Sequence, residues 1–164
     1  GLALDLRPPE LERSGLAAAI ESLCSRSLGQ HLRLATFRAE AGAAEAADSL
    51  DDEAGIQVFR IVQEALANAR KHAPGQAVDV SLRLDGEPSA EALLVEVVNR
   101  LDAAADAAEL VRLDESVSSG LGQAIMRERA AFAGGELRAG TEAGSYRVTL
   151  RVPFTKTGKA GLDA

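Results

Sequence analysis

The segment DDEAGIQVFRIVQEALANARKHA, residues 51–73, decides the expected fold of this 164-residue chain. Its apolar residues recur at the spacing of an amphipathic helix rather than of a strand. At about 100° per residue, one arc of this helix collects only small and apolar side chains, namely Phe59, Val62, Ala65, Leu66, Ala69 and Ala73. We therefore expect one long helix that packs on a core along this arc, with Asp51 or Asp52 as its cap.

The opposite arc of this helix presents Glu64, Asn68, Lys71 and His72. A single amide oxygen can anchor magnesium beside a triphosphate, because the ion completes its shell with water and phosphate oxygens. On this hypothesis Asn68 holds the metal, Glu64 polarises an attacking nucleophile and Lys71 meets phosphate oxygens. A solvated polar face is the alternative interpretation, and the spacing alone does not exclude it.

Three elements are expected before the long helix. After the Pro8-Pro9 boundary, the pattern predicts one helix from Glu10 or Ser14 to Arg26. Residues 31–39, HLRLATFRA, alternate like a strand, and the small and acidic residues 39–55 are typical of a loop that enters the long helix.

Strands alternate with one more helix in the second half of the chain. The pattern predicts a strand at VDVSLRLD (78–85) and a second strand at EALLVEVVN (91–99). A lid is expected next, at 100–119, with a short helix near 104–110. A helix that ends near Gly134 follows in GLGQAIMRERAAFAGG (120–135), and two strands follow in ELRAGTEAGSYRVTLRVPF (136–154). This order of strand, helix, hairpin, lid, helix and hairpin predicts an α+β two-layer sandwich, with helices on one face of a mixed sheet.

Composition excludes several function classes. A net charge of −7 and an aromatic content of 3% argue against nucleic-acid binding, which needs basic patches and stacking surfaces. The single cysteine, Cys24, rules out an internal disulfide and a multi-cysteine zinc site, and we expect it in the core. No apolar run is long enough to cross a membrane.

The quoted segments resemble a known family. FRIVQEALANARKHA is similar to the N-box of the ATP-binding catalytic domain of two-component sensor histidine kinases, and GLGQAIMRERAAFAGGELRAG resembles the second glycine box of that family. The segments LRPPELERSGLAAAIESL and GSYRVTLRVP are similar to the linker and the terminal strand of nitrate-sensor-type members. The resemblance implies the Bergerat-type ATP-binding sandwich that gyrase and mismatch-repair ATPases share.

The resemblance also implies roles for individual residues. Glu64 would be the general base, and Asn68 the Mg²⁺ ligand and part of the ATP site. The remaining ATP contacts would be Lys71 and His72 at phosphate, Gly120 and Gly122 in the second glycine box, and Asn99 and Ser145 near adenine. Asn99 stands where the family has an Asp, and both glycines of the usual first glycine box are missing, so we expect ATP binding to be weakened roughly ten- to a hundredfold. Gln123 and Ile125 stand where the family has Leu and Gly, and we expect both departures to reshape the lid hinge.

The expected organisation follows from the same resemblance. Residues 1–14 would end a dimerisation region, 15–154 would form the catalytic domain, and 155–164 a loose tail. The chain would be a cytoplasmic protein histidine kinase domain, monomeric by itself, within a homodimeric parent that an inner-membrane anchor could hold. Its partners would be a histidine phosphotransfer domain of the same protein and a response regulator, with no nucleic acid. His31 lacks the acidic residue that follows a phospho-accepting histidine. A serine kinase of anti-sigma-factor type and a nucleotide-sensing regulatory module remain the alternatives.

Overall fold

A computed structural model describes residues 8–28, 34–73, 76–86, 91–101 and 121–154. In chain order these residues form α1 (Pro9–Ser14), α2 (Leu16–Leu28), β1 (Leu34–Ala39), α3 (Ala43–Asp48), α4 (Asp52–His72), β2 (Ala77–Asp85), β3 (Ala92–Arg100), α5 (Leu121–Phe132), β4 (Glu136–Glu142) and β5 (Ser145–Pro153). His31, residues 102–119 of the predicted lid, Gly120 and the predicted tail lie outside the described residues, while Arg100 belongs to β3.

The five strands form one mixed sheet in the order β1-β2-β3-β5-β4. β1 and β2 are parallel, and the three other pairs are antiparallel. Alternate residues of β5 are buried, namely Tyr146, Val148, Leu150 and Val152, and they share one core with the apolar residues of α2 and α4. The predicted α+β two-layer sandwich, with helices on one face of a mixed sheet, is confirmed.

The long helix is confirmed as α4. The Asp51 side chain accepts a hydrogen bond from the Ala54 amide at 2.8 Å, which satisfies one of the donors that a helix leaves unpaired at its start. All six residues of the predicted apolar arc are buried. The same helix also buries Gln57, whose Oε1 accepts a hydrogen bond from Arg129 of α5 at 3.0 Å.

Two features of the region before α4 differ from expectation. Of the two starts expected for the first helix, Ser14 is close to the observed start of α2 at Leu16 and Glu10 is wrong, because Gly15 adopts a φ of +87° and ends the separate helix α1. The acidic segment 39–55 is not all loop, since it contains α3. Asp48 closes α3 and accepts a hydrogen bond from the Ala17 amide at 3.0 Å, so α3 also caps the start of α2.

The first helix belongs to the packed unit. Leu11 of α1 is 3% exposed and lies in the core cluster with α2 and α4. The division between a dimerisation region and a catalytic domain near residue 14 stays a prediction. Cys24 of α2 is buried, as expected, and burial raises the pKa of its thiol to about 12. Among the described helices, none combines the length and apolarity that crossing a membrane requires.

The outer face of the sheet is polar. Glu96 of β3 accepts hydrogen bonds at 2.9 Å from Arg83 of β2 and from Arg147 of β5. Burial by itself would raise the pKa of Glu96, but the hydrogen bond from Arg147 and the charges of the two arginines lower it below the usual value. Arg151 makes a similar pair with Asp85 at 2.9 Å. The predicted arginine-bearing face is therefore an ion-pair ladder in which the guanidinium groups are only partly solvated.

Candidate functional site

The short connection from α4 to β2 relates the end of the long helix to the end of β3. α4 ends at His72, and β2 begins shortly afterwards at Ala77. Because β2 and β3 are antiparallel, Val78 near the start of β2 lies opposite Asn99 near the end of β3. The end of α4 therefore lies at the same end of the sheet as Asn99.

The four predicted residues of α4 differ in exposure. Glu64, Asn68 and His72 are half-buried, whereas Lys71 is exposed. Burial, with a smaller contribution from the Lys71 charge, lowers the pKa of His72 below its ordinary value of 6.5. The lowered pKa favours the neutral imidazole, which offers a phosphate one N–H donor.

Glu64 lies directly against α5. A Cβ atom placed on Gly122, in the first turn of α5, would lie 2.6 Å from Oε2 of Glu64, closer than real Cβ contacts come. Only a residue without a side chain lets this carboxylate occupy its position. The structure thus brings the predicted base and one glycine of the second glycine box together, although the sequence analysis assigned Gly122 to nucleotide binding alone.

Asn99 is buried at the end of β3, with 6% of its surface exposed. In the burial pattern of β3 it continues the series of core-facing residues Leu93, Val95 and Val97, so it lies on the helix-covered face of the sheet. Tyr146 is its cross-strand neighbour on β5. The hydroxyl of Tyr146 accepts a hydrogen bond from Nε2 of Gln123 in α5 at 3.4 Å, and both side chains are buried.

Ser145 is placed differently from Tyr146. The two residues alternate at the start of β5, so Ser145 lies on the same side of the sheet as Arg147 and Thr149, away from the helices. The adenine role of Ser145 stays a prediction. Tyr146 and Gln123, which the sequence analysis did not assign to the site, occupy the helix-covered side instead. A buried tyrosine at the start of an otherwise aliphatic strand face was the signal available in the sequence.

A cleft lies on another side of α4. Its volume is about 520 Å³, and its walls come from α1, α2 and α4, including Pro9, Arg26, Phe59 and Arg70. None of the predicted site residues lines this cleft. The polar arc and the cleft are therefore separate surfaces of the same helix.

Comparison with known proteins gives the family of the chain. Residues 53–156 match the model of the histidine kinase-, DNA gyrase B-, and HSP90-like ATPase family. The chain belongs to this ATPase family. The matched range begins in the first turn of α4 and extends just beyond β5, so it contains every residue that the sequence analysis assigned to the site. The predicted family is therefore confirmed.

Two curated relatives extend the match towards the amino terminus. The oxygen sensor histidine kinase NreB of Staphylococcus carnosus is 33% identical over 159 residues, which cover 94% of this chain and 41% of NreB. The sensor histidine kinase MctS of Rhizobium johnstonii is 32% identical over 155 residues, which cover 93% of this chain and 30% of MctS. The ATPase-family chain thus spans less than half the length of either relative.

Solved structures confirm the fold. The histidine kinase domain of the blue-light activated histidine kinase EL346 from Erythrobacter litoralis superposes with a TM-score of 0.61 at 18% identity, over 92% of this chain and 70% of that chain. The catalytic domain of histidine kinase ThkA gives a TM-score of 0.58 at 14% identity, over 88% and 94% of the two chains. These kinase domains share the architecture of the ATPase-family chain.

Proposed function

We propose that this chain is the ATP-binding catalytic domain of a sensor histidine kinase, and that it transfers the γ-phosphate of Mg-ATP to a histidine on a dimerisation domain, for relay to a response regulator. The contact between Glu64 and Gly122 carries the proposal, because it joins two segments distant in sequence at one point beside Asn68. The family match over residues 53–156 supports the nucleotide, and the names of the two curated relatives support the kinase class.

The donor set suits a metal that enters together with the nucleotide. Among the residues that the structure describes, no group of three His, Cys, Asp or Glu side chains is placed to hold a metal ion. Asn68 is half-buried one turn from Glu64, and one amide oxygen is a sufficient protein ligand for Mg²⁺ when phosphates and water complete the shell. Bound Mg²⁺ would neutralise phosphate charge during the transfer.

Other residues of α4 would bind phosphate and accept the proton that the acceptor histidine releases. Lys71 is exposed and presents its ammonium to phosphate oxygens, while neutral His72 donates one N–H. Glu64 accepts a proton from the imidazole of the acceptor histidine as its nitrogen bonds to the γ-phosphorus. The bond from that phosphorus to the β–γ bridging oxygen breaks, and ADP leaves with the bond electrons. Gly122 leaves space for the Glu64 carboxylate at this position, because a Cβ there would overlap with it.

Calorimetric titration with ATP, with and without Mg²⁺, tests the metal assignment. Asn68→Ala and Asn68→Asp should remove most of the Mg²⁺-dependent affinity while the folded state persists, because Asn68 lies outside the core. Gln63→Ala is the matched control on the same helix, since Gln63 is exposed and its side chain accepts a hydrogen bond from its neighbour Arg60. It should bind ATP like the wild type. Unchanged Mg²⁺-dependent affinity in both Asn68 variants would refute the assignment.

Phosphotransfer to the dimerisation domain of the parent protein tests the reaction. Acid-labile, base-stable label on a histidine of that domain is the expected product. Tight Mg-ATP binding without any such label would favour the nucleotide-sensing regulatory module. Label on serine of a partner protein would favour the anti-sigma-factor type of kinase.

A further inference from the structure

Three buried side chains among the described residues are amides: Gln57, Asn99 and Gln123. Gln57 accepts a hydrogen bond from Arg129, and Gln123 donates one to Tyr146. Asn99 has no hydrogen-bond partner for its side chain among the residues that the structure describes. A buried amide without a partner is costly, so its position at the proposed nucleotide site indicates that a ligand completes its hydrogen bonds.

The chemistry of an amide differs from that of a carboxylate at this position. A carboxylate only accepts hydrogen bonds, so it pairs with the C6 amine of adenine and repels the C6 carbonyl of a 6-oxopurine. An amide carries an oxygen that accepts and an NH₂ group that donates, and a half-turn about its last side-chain bond exchanges the two. No described protein group holds Asn99 in either orientation.

We propose that Asn99 makes the purine pocket of this chain tolerant of the group at C6, so that it takes 6-oxopurine nucleoside triphosphates as well as ATP. With ATP, the Asn99 oxygen accepts from the C6 amine. With ITP, the Asn99 NH₂ group donates to the C6 carbonyl. The proposal rests on the proposed function, because it assigns the base to the end of β3, and it extends that function from one nucleotide to a class of substrates.

The wall beside Asn99 is consistent with this tolerance. Tyr146 is the cross-strand neighbour of Asn99, and Gln123 donates a hydrogen bond to it, so one hydroxyl and a second amide lie near the same end of the sheet. These neutral groups do not repel either form of the base, since each can act as donor or acceptor. None of the three side chains imposes a charge that would select the amine of adenine.

Competition binding with Mg-ATP and Mg-ITP tests the proposal. The two nucleotides differ only at C6 and in the proton on N1, which makes ITP the closest available probe. We expect the wild-type affinities for the two nucleotides to agree within about tenfold, since an exchange of one neutral hydrogen bond for another changes binding little. Purine riboside triphosphate, which has hydrogen at C6, should bind more weakly than either one.

Two substitutions test the contribution of the Asn99 amide to nucleotide choice. Asn99→Asp should raise the ratio of ATP to ITP affinity by about tenfold or more, because the charged acceptor strengthens the bond to the amine and repels the carbonyl. Asn99→Leu has a similar size without polar atoms, so it should weaken both nucleotides to a similar extent. Circular dichroism and thermal unfolding check that both variants fold.

The outcomes distinguish a failure of the C6 tolerance from a failure of the proposed function. A wild-type preference for ATP of more than about tenfold would overturn the C6 tolerance while leaving ATP binding intact. An unchanged ATP to ITP ratio in folded Asn99→Asp would also overturn it. If neither nucleotide binds at millimolar concentration, the proposed function itself fails. If a variant does not fold, the ratio of ATP to ITP affinity in the wild type alone tests the C6 tolerance.

Discussion

Substituting Gly122 by Ala should slow phosphotransfer far more than it changes stability. The new Cβ would lie 2.6 Å from Oε2 of Glu64, and an ordinary contact starts at 3.4 Å, so the carboxylate oxygen must retreat by about 0.8 Å. The displaced atom ends a flexible side chain, so relieving the overlap costs only about 0.5–1.5 kcal/mol of side-chain strain. Replacing a helical glycine by alanine stabilises the helix by up to about 1 kcal/mol, which offsets most of that strain.

The expected loss in rate is larger because a general base acts only at the correct distance. A displacement near 1 Å can reduce a rate by about a hundredfold, and general bases contribute about a hundred- to ten-thousandfold in total. We therefore expect Gly122→Ala to reduce the rate about ten- to a hundredfold. The rates are compared at saturating Mg-ATP, because Gly122 is also an expected ATP contact, whereas the Glu64 carboxylate acts on the acceptor and not on the nucleotide.

The assay is single-turnover transfer of radiolabelled phosphate from Mg-ATP to the dimerisation domain of the parent protein, with ATP affinity measured separately. Gly55→Ala is the matched control, because Gly55 is also helical and a Cβ there would meet no atom within 4 Å. That variant should keep the wild-type rate and gain up to about 1 kcal/mol of stability.

A double-mutant cycle then tests whether Gly122 acts through Glu64. Once Glu64→Ala has removed the carboxylate, Gly122→Ala has nothing to displace, so the double variant should be as slow as Glu64→Ala and no slower. Equal rates for Gly122→Ala and Gly55→Ala would refute the reasoning. So would a rate loss from Gly122→Ala that is as large without the Glu64 carboxylate as with it.

Two further predictions concern stability. Asp48→Ala should reduce the free energy of unfolding by about 1 kcal/mol, because α2 loses the acceptor for the Ala17 amide. Asp48→Asn keeps a side-chain oxygen, so its free energy of unfolding should fall by less. Equal midpoints of urea unfolding for the wild type and both variants would contradict the capping role of Asp48. The pKa of His72 is lowered in the folded state, so the unfolded chain takes up this proton first as the pH falls below 6.5. The wild type should therefore lose more unfolding free energy between pH 7.5 and pH 5.5 than His72→Gln. Parallel pH profiles of the two proteins would argue against the lowered pKa.

Local periodicity made much of the fold predictable. Twenty-one residues of helical spacing identified α4, and strict alternation identified β2 and β5, because both patterns report which face of one segment is buried. The short helix α3 was missed because its six residues are mostly alanine and acid, which also suit a loop. Its stability comes from burial of Ala43 and Ala47 against α2 and β2, and a local pattern does not contain that information.

The site was predictable as a set of residues but not as an arrangement. Helical spacing by itself is enough to put Glu64 and Asn68 on one arc of α4. The approach of Gly122 to Glu64 and the pairing of Gln123 with Tyr146 join residues on different elements, so no pattern within one segment reveals them. Neutral His72 is a similar case, since its pKa depends on how deeply the end of α4 is buried.

The order of the strands also bears on how the protein avoids aggregation. β1 and β4 are the edges of the sheet, and an edge strand offers unpaired backbone groups to any other strand. β4 has only seven residues and exposes Glu136, Arg138 and Glu142. An approaching strand would have to desolvate these charges before it could add to the sheet, which disfavours edge-to-edge growth between copies of the domain.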